Sequence, residues 1–307
     1  MVIENLVIVG SGPAGLTAGI YAARAGLSPL VIEGMLSGGQ LTETAEVENF
    51  PGFAEAVSGL DLMTSMRIQA EKAGVRFAMD AIGSVDFSGP VHRLFGVVGV
   101  YEAKCVIIAT GATPRWTGLP GEDVYKYHGI SSCAVCDGNF HRGKDVAVIG
   151  GGDTALADAI HLAKICRTVT LIHRRDSFRG TKVLSDRVLA TPNVKVLMNT
   201  EVVSFEGDGK KLDSLKLSNG DTLRVSGAFV AIGHDPQTVF LDGAVDLDAH
   251  GYVRTDGVAT NVAGVFVAGD CANPLYKQAV VAASTGAQAA QEAQHYIDNF
   301  ENRETVK

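Results

Sequence analysis

The sequence has no surplus of positive charge. Its 26 Lys and Arg stand against 34 Asp and Glu, giving a formal net charge of −8. Nucleic-acid binding needs the reverse balance, because phosphates are neutralised by cations, so no nucleic-acid partner is expected. Long apolar runs are missing as well. No stretch approaches the ~18 residues that a transmembrane helix needs, so no membrane association is expected. The start, Met1-Val2-Ile3-Glu4-Asn5, lacks a basic segment leading into a long apolar one and does not read as a signal peptide. A cytoplasmic location follows as the expectation. Cysteine is scarce: residues 105, 133, 136, 166 and 271, of which only 133 and 136 lie close together. In a reducing compartment a persistent disulfide is usually catalytic. What the chain has in excess is glycine, 36 of 307 residues, against an ordinary usage of about 7%. That suits tight turns and close backbone approach to ligands. The length fits two domains of about 100–200 residues each.

Leu6-Val7-Ile8-Val9 is a short apolar run, followed at once by Gly10-Ser11-Gly12-Pro13-Ala14-Gly15. A helical pattern from Leu16 to Ala25 stops at Gly26, and a second apolar run ends at Glu33. This is a strand–helix–strand unit carrying G-x-G-x-x-G. Gly10 permits the tight turn, Gly12 admits a pyrophosphate, and Gly15 lets helix and strand pack closely. The helix N-terminus offers N–H groups and positive dipole to phosphates. Glu33 is placed to accept hydrogen bonds from an adenosine ribose.

The device recurs. Asp145-Val146-Ala147-Val148-Ile149 leads into Gly150-Gly151-Gly152-Asp153-Thr154-Ala155, a helical segment, and the run Thr168–Ile172. Glu33 follows Gly10 by 23 positions, and His173 follows Gly150 by the same 23. The slot that holds an acid in the first copy holds His173-Arg174-Arg175 in the second, with Arg179 close behind. An acid suits a free 2′-hydroxyl, whereas arginines suit a 2′-phosphate through charge-assisted hydrogen bonds. The first copy is therefore expected to bind FAD and the second NADPH.

The runs ending Ala109-Thr110-Gly111-Ala112 and Ala231-Ile232-Gly233-His234 look like late strands of the two nucleotide folds, and a further run ends in Gly269-Asp270. A final Ala-rich helix is expected from about Gln278 to Tyr296, before a polar tail from Asn302 to Lys307. Segments near 75–103 and 193–226, with runs Lys195–Met198 and Ser214–Leu217, read as β-meander crossovers. The expected class is α/β, with two Rossmann-like three-layer domains, the second inserted in the first. Residues 1–114 and 245–307 would form the FAD domain, and 115–244 the NADPH domain.

Cys133-Ala134-Val135-Cys136-Asp137-Gly138 lies just before the second nucleotide fold. Structural zinc needs about four ligands. The chain has no second Cys-x-x-Cys or paired His, and His128 and His141 flank the motif without a common finger spacing, so no metal is expected. Two intervening residues is the spacing of reversible disulfides. NADPH, FAD and a dithiol together specify an order: hydride to flavin, electron pair to the disulfide, then exchange with an external disulfide. Asp137 beside the pair reads either as the acid for the leaving thiolate or as a capping residue.

These motifs, together with Gly38-Gly39-Gln40-Leu41, Glu46–Gly52, His173-Arg174-Arg175-Asp176 and Lys277-Gln278-Ala279, resemble the low-molecular-weight thioredoxin reductases of bacteria and archaea over nearly the whole chain. The resemblance implies that Gly39, Gln40, Leu41 and Asn49 line the FAD site. It implies that Asp270 binds the ribityl chain, with Lys277, Gln278 and Ala279 near the isoalloxazine. It implies that Cys136 faces the flavin while Cys133 attacks a thioredoxin disulfide. A homodimer is implied, with hinges near Thr113-Pro114 and His234-Asp235-Pro236. Two departures stand out. Ala157-Asp158 replaces a pair of glutamates frequent in relatives, and Asn139 replaces one of two aromatics after Cys-Asp-Gly. A flavin dithiol oxidase, a ferredoxin–NADP reductase and a non-catalytic nucleotide sensor are the alternatives. The arginines disfavour the first, and the dithiol disfavours the other two.

Overall fold

Apolar runs of β-type residues alternate with helical segments along the chain, and the computed structural model, which describes residues 2–305, folds them into two α/β units. Residues up to Thr113 and from Asp235 onward make the first unit, and Pro114–His234 make the second. Residues 235–244, assigned from sequence to the insertion, pack in the first unit, where Leu241 is fully buried. The chain crosses between units on two strands, Ala112–Pro114 and His234–Pro236, which pair with each other.

In the first unit, parallel strands lie in the order Arg76–Ala78, Leu30–Ile32, Ile3–Val9, Val100–Ile108 and Val265–Val267. Such strands are covered on both faces, which is why they read as continuous apolar runs rather than alternating ones. Leu6, Ile8 and Ile107 face a cluster with the helices, while Val7, Val106 and Ile108 face another, and all six are fully buried. The long strand Val100–Ile108 extends the same sheet. It pairs in parallel with Ile3–Val9 and antiparallel with His92–Gly96, which in turn pairs antiparallel with Ile82–Asp86.

The helix Pro13–Arg24 packs against the final helix, Ala279–Thr305. The final helix is longer than expected because no Gly or Pro follows Gly286 to stop it. Of the polar tail, Val306 and Lys307 lie outside the described residues, as does Met1.

The second unit repeats the plan. Its parallel strands lie in the order Val194–Leu197, Thr168–Ile172, Asp145–Ile149, Gly227–Val230 and Ile130–Ser131. A separate antiparallel sheet holds Val202–Gly207, Leu212–Leu217 and Thr222–Arg224. The run at Lys195 therefore belongs to the parallel sheet, not to the meander where its sequence had placed it. A four-residue apolar run carries no periodicity that separates the two settings. Ser214–Leu217 lies in the meander, as read. No described helix is long and apolar enough to cross a membrane.

Two outcomes follow from packing and burial. A methyl group on Gly286 would lie 2.1 Å from the Ala14 carbonyl oxygen, a backbone atom that cannot swing aside. Gly286→Ala is expected to cost about 1–3 kcal/mol, read as a lower urea midpoint. Asp158, on the helix Asp153–Ala163, has its carboxyl pushed up to about 7 by burial. An unfolded Asp titrates near ~3.9, so between about pH 4 and 7 the folded chain holds the proton more tightly. Stability is thus lost as pH rises through that window, by up to about 1.4 kcal/mol per pH unit. Asp158→Asn should remove the slope, giving a higher Tm than wild type at pH 8 and no gain at pH 4.

Candidate functional site

The first glycine loop starts where the strand Ile3–Val9 ends, at the centre of its sheet. Gly10 has φ of +111°, and a Cβ there would lie 2.3 Å from the Ala109 carbonyl oxygen. The loop is therefore pressed onto the neighbouring strand, and only glycine fits. A Cβ on Gly15 would lie 1.9 Å from the Gly10 carbonyl oxygen, so the helix start is folded back on the loop. At Gly12, by contrast, a Cβ would meet nothing within 4 Å. Gly12 caps the helix Pro13–Arg24 with no side-chain hydrogen bond to its first N–H groups. An open space at an uncapped helix N-terminus is the cradle that a phosphate requires.

Around this cradle the sequence-predicted residues converge. Ser11 Oγ donates to the Glu33 carbonyl at 3.3 Å and accepts from Gly38 N at 3.0 Å. Gly39 approaches Gly12, and Gly269 approaches Ala14. Gln40 Nε2 donates to the Ala112 carbonyl, and Leu41 packs on the core. Thr110 Oγ1 donates to the Gln237 carbonyl at 2.7 Å, beside Gly111. Asn49 Nδ2 donates to Gln278 Oε1 at 3.1 Å, next to Ala279 at the start of the last helix. Burial pushes the Asp270 carboxyl up to about 6, with the Lys277 ammonium opposing it. Cys271 is fully buried among the carbonyls of Ile108 and Ala268, and burial holds its thiol at about 11, as befits a packed residue. Burial likewise raises the Cys105 and Cys166 thiols.

One residue of this site was not legible in the sequence. Arg67, on the helix Gly59–Ala73, pairs with Glu33 and lies over the Phe77 ring at 4.2 Å. Ser37 Oγ donates to the same Glu33 oxygen at 2.6 Å. Glu33, Ser37 and Arg67 line a cavity of about 220 Å³ with Ser11, Gly38 and Met63. Arg67 is 34 positions from its partner and sits in no motif, so only the fold reveals the pair.

The second loop repeats the construction. Gly150 has φ of +153°, and a Cβ there would lie 2.4 Å from the Ala231 carbonyl oxygen, just before Ile232 and Gly233. Gly152 caps its helix without a side-chain bond, and a Cβ there would meet nothing within 4 Å. Thr154 is exposed at the helix start. Arg174, Arg175 and Arg179 are exposed, and among the described residues none of them forms a salt bridge. His173 differs from them. It is 6% exposed, its ring lies under Gly151, and its Nε2–H donates to the Ser177 carbonyl at 3.0 Å. Burial lowers its pKa, opposed by the hydrogen bond to the Ser177 carbonyl and helped by the nearby arginines. Asp153 accepts a hydrogen bond from Thr181 N at 2.7 Å. Both cradles thus fit the pyrophosphate of a dinucleotide, and the second adds three uncommitted cations.

Cys133 and Cys136 are joined in a disulfide, with their Cα atoms 5.3 Å apart. Cys133 caps the short helix Ala134–Asp137, and its Sγ accepts from Cys136 N at 3.2 Å. The pair is half-buried, while Val135 and Phe140 beside it are exposed. Asn139 is exposed and accepts from Arg142. Burial raises the Asp137 carboxyl above the usual range, opposed by the Ser131 hydroxyl. A carboxyl whose pKa is raised is the better proton donor to a leaving thiolate. Among the described residues no group of His, Cys, Asp and Glu could hold a metal ion.

The profile of the pyridine nucleotide-disulphide oxidoreductase family matches residues 4–286. A thioredoxin reductase of Streptomyces coelicolor is 45% identical over 304 residues, covering 96% of this chain and 94% of that one. A solved thioredoxin reductase from Giardia duodenalis superposes with a TM-score of 0.92 at 38% identity, covering 97% of this chain and 100% of that one. One from Streptococcus pyogenes gives 0.91 at 36% identity, covering 97% and 99%. The chain belongs to the pyridine nucleotide-disulphide oxidoreductases and, within them, to the thioredoxin reductase family.

Proposed function

We propose that the chain is an NADPH-dependent thioredoxin reductase that passes an electron pair to the disulfide of thioredoxin or a thioredoxin-like protein. The observation that carries this reading is the Cys133–Cys136 disulfide, set in the same unit as a phosphate cradle flanked by three uncommitted arginines. When bound, NADPH and FAD supply the hydride and the flavin that reduce this disulfide.

The chain's own residues divide the remaining work. Gly10–Gly15 receive the FAD pyrophosphate and Glu33 the ribose. Gln40, Asn49, Asp270, Lys277 and Gln278 surround the rest of that cofactor. Gly150–Thr154 receive the NADPH pyrophosphate, with Ile232 and Gly233 alongside, and Arg174, Arg175 and Arg179 hold the 2′-phosphate.

In the reduced state the Cys133 thiolate attacks a partner disulfide. One partner sulfur leaves as a thiolate, and a mixed disulfide forms. Cys136 then attacks Cys133 Sγ. This re-forms the internal disulfide and releases the partner as a dithiol, two electrons richer. Asp137 provides the proton for a departing thiolate. Val135, Asn139 and Phe140 offer the partner its nearest exposed surface. The reading includes a homodimer, which the family resemblance implies, and the cytoplasmic location expected from the sequence.

Two experiments test it. Cys133→Ser and Cys136→Ser should each abolish NADPH-dependent reduction of thioredoxin while the purified protein keeps its flavin colour. Full reductase activity in both variants would refute the dithiol role. Arg174→Ala with Arg175→Ala should raise KM for NADPH by about tenfold or more, consistent with about 1.5–3 kcal/mol per charged hydrogen bond, and leave KM for NADH nearly unchanged. Equal losses with both nucleotides would rule out a 2′-phosphate site.

A further inference from the structure

The arginines stand on a segment with no regular secondary structure, between the strand Thr168–Ile172 and the helix Lys182–Leu189. Such a segment would ordinarily be mobile, yet its backbone is fastened to the glycine loop. Arg179 N and Gly180 N both donate to the Gly151 carbonyl, at 2.8 and 3.1 Å. Thr181 N donates to Asp153 Oδ1 at 2.7 Å. A Cβ on Gly180 would lie 2.5 Å from Leu156 and 3.1 Å from Asp153 N, so the two segments are in close contact. His173 holds the other end of the segment through the Ser177 carbonyl.

This fastening has a chemical reason. The pyrophosphate and the 2′-phosphate belong to one ligand, and the adenosine fixes the distance between them. A protein that recognises both must hold its arginines at that distance from the pyrophosphate cradle. Otherwise binding has to order the loop and is weakened by that cost. NADH has no 2′-phosphate and is indifferent to where the arginines stand.

We infer that Asp153 is a positioning residue for nucleotide selection, acting through the Thr181 N–H to hold the arginine segment at a fixed spacing from the Gly150–Gly152 cradle. The inference rests on the NADPH reading above. It assigns the Asp153 carboxylate no contact with the nucleotide, leaving only its backbone N–H in the cradle. It also accounts for an acid at a phosphate-binding helix start, where a free carboxylate would repel the ligand.

The test compares the full-length enzyme with Asp153→Ala, Asp153→Asn and Thr181→Pro. Asn keeps the acceptor oxygen and loses the charge. Proline at 181 removes the donor N–H and leaves Asp153 intact, and Thr181 has φ of −60°, which proline adopts. Thr181→Pro also serves if Asp153→Ala does not fold.

The ratio of kcat/KM for NADPH to that for NADH should fall about tenfold (about 1.4 kcal/mol) in Asp153→Ala and Thr181→Pro. It should stay within about threefold of wild type in Asp153→Asn, a shift worth about 0.6 kcal/mol. Binding of 2′,5′-ADP, followed by calorimetry, should weaken by the same factor in the first two variants, with binding of 5′-ADP unchanged. A wild-type ratio in both, or equal weakening of the two nucleotides, would overturn the inference. So would tighter NADPH binding in Asp153→Ala, which would mark the carboxylate as simple repulsion. The Arg174→Ala, Arg175→Ala protein separates the two levels. If its ratio falls and that of Thr181→Pro does not, the clamp is wrong and the NADPH site stands. If its own ratio is unchanged, the NADPH reading fails first.

Discussion

In each unit a glycine loop is pressed against a strand carbonyl, with no room for a single extra carbon. Gly10 lies on Ala109 and Gly150 on Ala231 in the same way. That contact fixes where the strand must end, how the next helix must start and which N–H groups are left facing open space. Close packing at the back of the loop is what leaves the front clear for a phosphate. The helix starts are then the parts of the backbone whose polar groups await a ligand. The rest of each unit is arranged to hold this geometry: apolar strands buried on both faces, and in the first unit a final helix lying so close that Gly286 touches the start of Pro13–Arg24.

Much of this was written in local sequence, because the constraints act over short distances. The loops need their glycines within six residues, the acid or the arginines follow at a set spacing, and a dithiol of this kind needs only two intervening residues. What escaped depends on contacts between distant residues. Arg67 meets Glu33 through the fold of a separate helix. Val194–Leu197 pairs in parallel because of where the neighbouring strand runs, which its own four residues do not record. His173 was grouped with the arginines by its place in the chain. It is instead buried under Gly151, with its Nε2–H donating to the Ser177 carbonyl, while Arg174 and Arg175 are exposed. Asp153 carries the same lesson, since its hydrogen-bond partner lies 28 residues away.

The dithiol segment belongs structurally to the nucleotide unit that follows it. The strand Ile130–Ser131 is an edge of the same sheet as Asp145–Ile149, and the short helix bearing Cys136 packs against the helix that starts at the second cradle. Ser131 N-terminal to the pair and Gly138 after it are both buried, so the ends of the redox segment are fixed while Val135 and Phe140 remain at the surface. Such a segment can meet a protein partner without disturbing the sheet that carries it.

The second loop separates two properties that an enzyme of this kind could easily have entangled. What would receive a dinucleotide as such is the backbone of the glycine loop, fixed by the tight contact of Gly150 on Ala231. What would distinguish one dinucleotide from another stands on three exposed side chains and on the segment that Asp153 fastens. A lineage could therefore change its electron currency, from a phosphorylated to an unphosphorylated carrier, by surface substitutions alone. The machinery that orients the carrier would be untouched.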